Sequence, residues 1–327
     1  MSGTLSYVEA IVIGAMQGIT ELFPVSSLGH SVLLPAVIGG QWATDLNVSA
    51  PESPYLAFIV GLHVATAAAL LLFYWRDWVR IIGGFLTSIR YRRIRSANER
   101  LAWLIVVATI PVGITGLLLE HLFRTTLGRP VPAASFLLAN GVILLLGERL
   151  RRRAPTADTD TAAAATGADP GPPSNPVVEP TDDLDAGVDR IDADERSDAR
   201  LARLTLTRGV LVGSAQILAL LPGISRSGVT MVAGLAQGLS HRDAARFSFL
   251  LATPVILAAG VLKLPDLAGP LGAGITGQVL AGSLASFAAA YLSVRFLERY
   301  FRTRTLTPFA IYSLIVGAGS LLWLTLR

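Results

Sequence analysis

Apolar residues along this chain come in runs of two lengths. Residues 55–75, 101–119 and 131–146 in the first half, and 247–262, 279–294 and 308–326 in the second, approach or reach the about 20 apolar residues that a helix needs to cross a bilayer core. Four shorter runs come in pairs. Residues 7–16 and 27–39 flank a polar elbow with Gly18, Pro24 and Gly29, and residues 204–221 and 229–239 flank another with Pro222, Gly223 and Gly228. Two short apolar helices folded at such an elbow describe a re-entrant hairpin, which a bilayer tolerates only where protein or a water-filled cavity covers the exposed backbone. The pattern predicts an all-α polytopic membrane protein of two repeats, each a re-entrant helical hairpin (7–39 and 204–239) followed by three transmembrane helices.

Charge orients these elements. Arg76 and Arg80 close the first span, and Arg90, Arg92, Arg93, Arg95 and Arg100 make the connector after it densely basic. Arg149, Arg151, Arg152 and Arg153 end the third span, and Arg295, Arg299, Arg302 and Arg304 lie between the last two. By the positive-inside rule these stretches are cytoplasmic. Counting passes from them makes the first hairpin enter from outside and the second from the cytoplasm, so the repeats are inverted in topology and both termini lie outside. No Lys or Arg precedes Arg76, so the start lacks the basic region of a signal peptide and reads as retained structure. Between the repeats (1–153 and 201–327), residues 154–200 turn to Pro, Ala, Thr, Gly and acids, too poor in apolar surface to fold alone. They read as a disordered acidic cytoplasmic linker.

Composition agrees, with 52% hydrophobic and 15% charged residues and a mean hydropathy of +0.56. The absence of Cys excludes disulfides, thiolate metal sites and a Cys nucleophile. Lys263 is the only lysine; the basic residues are arginines flanking spans, and no nucleic-acid partner is expected. The bilayer is the partner that the composition demands.

Against this background the elbows are chemically dense. Residues 17–30 hold Gln17, Thr20, Glu21, Ser26, Ser27 and His30, and an ionisable group at membrane depth costs about 2.5–3.5 kcal/mol, so Glu21 and His30 are functional candidates by default. In the second elbow Gly223, Ser225, Ser227 and Gly228 precede an apolar helix whose free N–H groups suit an anion, and Arg226 adds a planar fork for phosphate oxygens. Facing it, Glu21 can hold a divalent cation, since Mg²⁺ typically takes one or two carboxylates together with substrate phosphates. Ser27 stands three residues before His30, within reach of an imidazole that accepts its proton if the turn is helical. Together these groups suit cleavage of a phosphate ester or anhydride. The commoner fates of such residues are plainer: membrane serines usually cap or pack helices, His63 reads as a core hydrogen bonder, Trp75 and Trp78 as an interfacial belt, and Glu21 with Arg226 could form a purely structural pair.

Gln17-x-x-x-Glu21-Leu-Phe-Pro-Val-Ser-Ser-x-Gly-His30 with Pro222-Gly-x-Ser-Arg-Ser-Gly-x-Thr230 resembles the bacitracin-resistance type of undecaprenyl-diphosphatase. The resemblance extends to Phe247-Ser-Phe-Leu-Leu-Ala-x-Pro254 and Pro308-Phe-Ala-Ile-Tyr312, and leaves out only the linker. It implies a bacterial plasma-membrane phosphatase that removes the terminal phosphate of undecaprenyl diphosphate, recycles the carrier for cell-wall synthesis and confers bacitracin resistance. It also implies a site open to the extracytoplasmic face and a Mg²⁺ or Ca²⁺ requirement. By position, Glu21 is the metal-associated acid, Ser27 and His30 the nucleophile and base, and Arg226 with Ser225 and Thr230 the phosphate binders. Gln17, Ser26 and Ser227 join as substrate-binding residues. Gln17 stands where the family takes Glu or Gln, so here an amide replaces a second anionic ligand; Leu28 stands where Thr is common. The rival class is a secondary transporter or flippase of a polyprenyl phosphate lipid, which would share the anion site without needing Ser27 and His30. A phosphatidic-acid-type phosphatase is excluded, because no Arg-Pro follows Lys263. Whether two copies form a homodimer is left open by the sequence.

Overall fold

The computed structural model describes residues 5–46, 54–122, 126–153, 195–269 and 274–326. Among them the regular elements are helices: α1 (Tyr7–Thr20), α2 (Ser27–Ile38), α3 (Gly40–Asp45), α4 (Pro54–Phe73), α5 (Trp75–Tyr91), α6 (Ala97–Leu122) and α7 (Pro130–Arg153). After these come α8 over 195–201, α9 (Leu206–Ser214) continued by a 3₁₀ stretch (Ala215–Leu220), α10 (Arg226–Ala236), α11 (His241–Ala268), α12 (Thr276–Tyr300) and α13 (Thr307–Leu326). Five helices are long and apolar enough to cross a membrane, namely α6, α7, α11, α12 and α13, and α4 with α5 makes a sixth only as a pair bent by 85°. Short helices flank each elbow, α1 and α2 the first and α9 and α10 the second.

The expected span 55–75 ends at Phe73, and the stretch after it as far as Tyr91 is the helix α5, which leaves Arg92, Arg93 and Arg95 in the loop to α6. The arginines concealed its periodicity. Trp75, Val79, Ile82, Leu86 and Ile89 recur every three or four residues and are exposed, while Asp77, Ile81, Gly84 and Ser88 are buried on another face. The other spans outrun their apolar cores because polar ends carry on the helix, as where Ser240 caps α11 by accepting from Asp243 N at 3.0 Å. Glu9 closes a capping box at the start of α1, accepting from Ser6 N at 2.8 Å while its own N–H donates to Ser6 Oγ at 3.2 Å.

Small residues let the hairpins approach their neighbours. On α1, Gly14 and Gly18 lie against α12 so closely that a Cβ on either would fall 2.2 Å from the Gly282 oxygen or 2.3 Å from that of Ser286. On α9, Gly209 and Gly213 meet α6 in the same way, a Cβ on Gly213 falling 2.0 Å from the Ala108 oxygen. Both are small-xxx-small contacts of the kind that pack membrane helices. The correspondence is wider: α1 packs on α12 as α9 does on α6, α4 on α12 as α11 on α6, and α2 on α13 as α10 on α7.

Residues 154–194 of the expected linker lie outside the described residues, but its last part differs from the expectation. Residues 195–201 are helical, with Ser197 and Asp198 buried. The cause is Arg246 on α11, only 1% exposed, whose charge must be paired where it is buried. Its guanidinium donates to Asp198 Oδ1 from Nε at 3.1 Å and from a terminal nitrogen at 3.0 Å, and reaches Asp77 Oδ1 at 3.0 Å. Arg200 makes a two-point contact with Asp243, at 2.8 Å to each oxygen.

Candidate active site

The two elbows meet inside the bundle and are bonded to one another. Ser26 caps α2 at φ 68°, a conformation that L side chains rarely adopt, and its Oγ accepts from Gly29 N and from Gly223 N, each at 3.2 Å. Gly223 itself sits at φ +115°, where a Cβ would stand 2.4 Å from the Ala133 oxygen, so only glycine closes this contact. Ser225 caps α10, accepting from Gly228 N at 3.2 Å, and both Ser225 and Ser227 donate their hydroxyls toward the Phe23 carbonyl, at 3.4 and 3.2 Å. Asn140 on α7 completes the join. It accepts from Ser225 N at 2.9 Å and donates to the Pro24 carbonyl at 3.0 Å and to Ser313 Oγ at 3.2 Å.

This scaffold positions Glu21. One carboxylate oxygen accepts from the Arg226 guanidinium across the elbows. The other accepts from Gln17 Nε2 at 3.0 Å and, in a short hydrogen bond, from the Ser27 hydroxyl. His63 on α4 approaches from the side, its Nε2 3.6 Å from that second oxygen and 3.3 Å from Gln17 Nε2. Its Nδ1 donates to the Ile59 carbonyl at 2.9 Å, which in the neutral ring leaves Nε2 as an acceptor for the amide. The Glu21 side chain is 3% exposed, against 19% for Arg226 and 26% for His63. The carboxylate is therefore the floor of the site, and the guanidinium and imidazole form its reachable wall.

Of the residues expected here, Gln17, Glu21, Ser27 and Arg226 come together around one carboxylate. Ser26, Ser225 and Ser227 lie one layer behind them, with their hydroxyls engaged in capping and in joining the elbows. Thr230 donates its hydroxyl to the Arg226 carbonyl at 2.7 Å, one turn back on its own helix. The expected pairing of Ser27 with His30 is not formed. His30 Nδ1 donates to the Ser26 carbonyl at 2.7 Å and Nε2 meets the Tyr312 hydroxyl at 2.9 Å, while Ser27 turns to Glu21. The reason is local: in the first turn of α2 the ring folds back on the i−4 carbonyl, and that bond directs Nε2 toward α13.

Three residues of this arrangement escaped the sequence reading. His63 reads from the sequence as a core hydrogen bonder, although an imidazole within an apolar run is itself a signal. Asn140 gave a similar signal as a lone amide inside the span 131–146. Tyr312 carried none beyond its place in the last motif.

Five helices long and apolar enough to cross a membrane, gathered around a buried carboxylate that is paired with an arginine where the two elbows meet, define a multi-pass membrane protein with a charged centre. The sequence matches the family model described as Bacitracin resistance protein BacA over residues 10–319, a stretch that takes in both elbows, and the chain belongs to that family. It is 68% identical to the undecaprenyl-diphosphatase of Mycolicibacterium paratuberculosis and 67% identical to that of Mycobacterium avium, over the full length of each pair. Undecaprenyl-diphosphatase 1 of Frankia casuarinae is 55% identical over 96% of this chain and 97% of its own.

Proposed function

We propose that the chain is an undecaprenyl-diphosphatase: a membrane hydrolase that releases the terminal phosphate of undecaprenyl diphosphate and regenerates the monophosphate carrier for cell-wall synthesis. The observation that carries this reading is the convergence of Ser27, Glu21 and Arg226, drawn from two distant motifs, in a family whose full-length relatives bear that name. Bacitracin resistance follows from the same activity, because consumption of the diphosphate removes the lipid that the antibiotic sequesters.

In the chemistry we infer, Arg226 receives the terminal phosphate and the N-termini of α2 and α10 add N–H groups and favourable dipoles. Ser27 Oγ attacks phosphorus, the P–O bond to the polyprenyl phosphate breaks, and the hydroxyl proton passes to Glu21, the acceptor that already holds it. Water then cleaves the phosphoserine and frees Ser27. His30 supports the reaction from behind by fixing the Ser26 turn to Tyr312. Among the described residues no three His, Cys, Asp or Glu side chains gather as a metal cage, yet one carboxylate beside an amide fits a Mg²⁺ or Ca²⁺ ion that takes its other ligands from water and the diphosphate. Glu21 and Gln17 would hold such an ion, and it would neutralise charge on the diphosphate.

The exchange of equivalent packing contacts between the halves supports an inverted repeat, and the basic loops support a cytoplasmic linker with the site open to the extracytoplasmic side of the plasma membrane. The test is phosphate release from a polyprenyl diphosphate by the purified protein with Mg²⁺, Ca²⁺ or chelator. Cation-dependent release supports the reading. A folded protein that binds the lipid diphosphate without releasing phosphate under any condition overturns it.

A further inference from the structure

The helix α5 contributes no side chain to the site, and it counts toward a span only together with α4. It leaves α4 at 85°, so if α4 stands across the bilayer, α5 lies along its surface. Its residues fall into three sectors. Asp77, Ile81, Gly84 and Ser88 face the protein; Trp75, Val79, Ile82, Leu86 and Ile89 form an exposed apolar stripe; and Arg76, Thr87 and Arg90 occupy the exposed polar side. Exposed Arg92, Arg93 and Arg95 follow directly in the loop to α6. A helix with one apolar and one arginine-bearing exposed side has the form that beds in an interface, with its apolar side among acyl chains and its cations at headgroup level. Arg80 is consumed by the fold, pairing with Asp77, Glu195 and Asp198, whereas of the flanking cations Arg95 has Glu99 as a neighbouring charge, its backbone N–H donating to Glu99 Oε2 at 2.5 Å. Arg76 lies over the Trp75 ring, 5.3 Å from its centroid, and Arg90 lies 6.0 Å from that of Tyr91, placing both guanidinium groups beside rings of the interfacial type.

We propose that α5 is an in-plane anchor that recruits acidic phospholipids, its apolar stripe seated in the leaflet and Arg76, Arg90, Arg92, Arg93 and Arg95 binding phosphate headgroups. Charge complementarity, and the exposed Leu72 that adjoins the stripe at the end of α4, identify the occupant as lipid. The effect on the enzyme is an annulus of acidic lipid at one end of the bundle, and it does not depend on the phosphatase reading.

The chain contains no cysteine, so single-site labelling needs no prior removal of thiols. Ile82→Cys and Thr87→Cys proteins, each carrying a nitroxide, are placed in bilayers of phosphatidylcholine with or without phosphatidylglycerol. Oxygen should broaden the signal at position 82 and a water-soluble nickel chelate that at position 87. Spin-labelled phosphatidylglycerol should be held in preference to spin-labelled phosphatidylcholine by about fivefold, the equivalent of one arginine at an anionic surface. The preference should fall to parity at high salt and in a variant with Arg76, Arg90, Arg92, Arg93 and Arg95 all changed to Gln, whose unaltered depth profile at position 82 would show that α5 still folds. Equal exposure of positions 82 and 87 to the nickel chelate would overturn the in-plane seating. Equal retention of both lipids by the unaltered protein would overturn the recruitment, as would a preference that appears only when residues 155–194 are deleted, which would assign the arginines to that acidic stretch.

Discussion

Asn140→Ala should uncouple the two elbows. Asn140 is fully buried and its amide bonds to Ser225 N, the Pro24 carbonyl and Ser313 Oγ at 2.9, 3.0 and 3.2 Å. Ser313 Oγ accepts from the amide and, as a hydroxyl, can still donate once that donor is gone, but the Ser225 N–H and the Pro24 carbonyl have their partner on Asn140. Leaving a buried polar group unsatisfied costs about 1–3 kcal/mol, so the two together put the loss at about 2–6 kcal/mol, before any cavity term. Part of that loss falls on the register between Glu21 and Arg226, because Pro24 and Ser225 lie within a few residues of them. A displacement of about 1 Å at a reacting group costs on the order of 10²-fold in rate. Thermal unfolding in detergent should show a midpoint lowered by roughly 4 °C or more, and phosphate release at saturating lipid should fall by about 10²-fold. An Asn140→Ala protein with unchanged midpoint and unchanged turnover would refute the idea that this amide holds the elbows together.

Other substitutions separate the remaining roles. Arg226→Lys keeps the charge but loses the planar fork, and turnover should drop by about tenfold or more in the phosphate-release assay. His63→Ala removes the imidazole beside Glu21 and Gln17, and kcat should fall by about tenfold or more while the unfolding midpoint holds; a wild-type kcat would return His63 to the core. Tyr312→Phe deletes only the partner of His30 Nε2, so the midpoint should shift by the equivalent of about 1 kcal/mol with turnover changed a few-fold at most. Asp198→Ala deprives buried Arg246 of one carboxylate and should destabilise by about 3–5 kcal/mol, read by thermal unfolding, whereas deletion of residues 156–194 should leave turnover intact.

How much of this was legible in the sequence depended on whether a signal was local. The hairpins were readable because a short apolar run, a Pro/Gly elbow and a second short run constrain each other over some thirty residues. The pairing of Glu21 with Arg226 was also within reach, since an intramembrane charge needs a partner and few candidates existed. What failed was geometry set by tertiary contacts. Spacing alone put Ser27 within reach of His30, but the Ser26 carbonyl and Tyr312, 282 residues from His30 in the chain, claim both ring nitrogens. Similarly, α5 was hidden because its arginines suggested a loop, although its apolar positions keep a helical period on one face. The end of the linker was misjudged for a different reason. Composition cannot show that a buried arginine on another helix waits for Asp198.

The most direct test of the central claim, that Ser27, Glu21 and Arg226 form one phosphate-cleaving site across the two elbows, is phosphate release from undecaprenyl diphosphate by four proteins in the same lipid. They are the unaltered chain, Ser27→Ala, Glu21→Gln and Arg226→Ala, each with its unfolding midpoint measured. The account predicts release by the unaltered chain alone, with every variant lowered by at least about 10²-fold while remaining folded. Substantial release by folded Ser27→Ala or Arg226→Ala would contradict it.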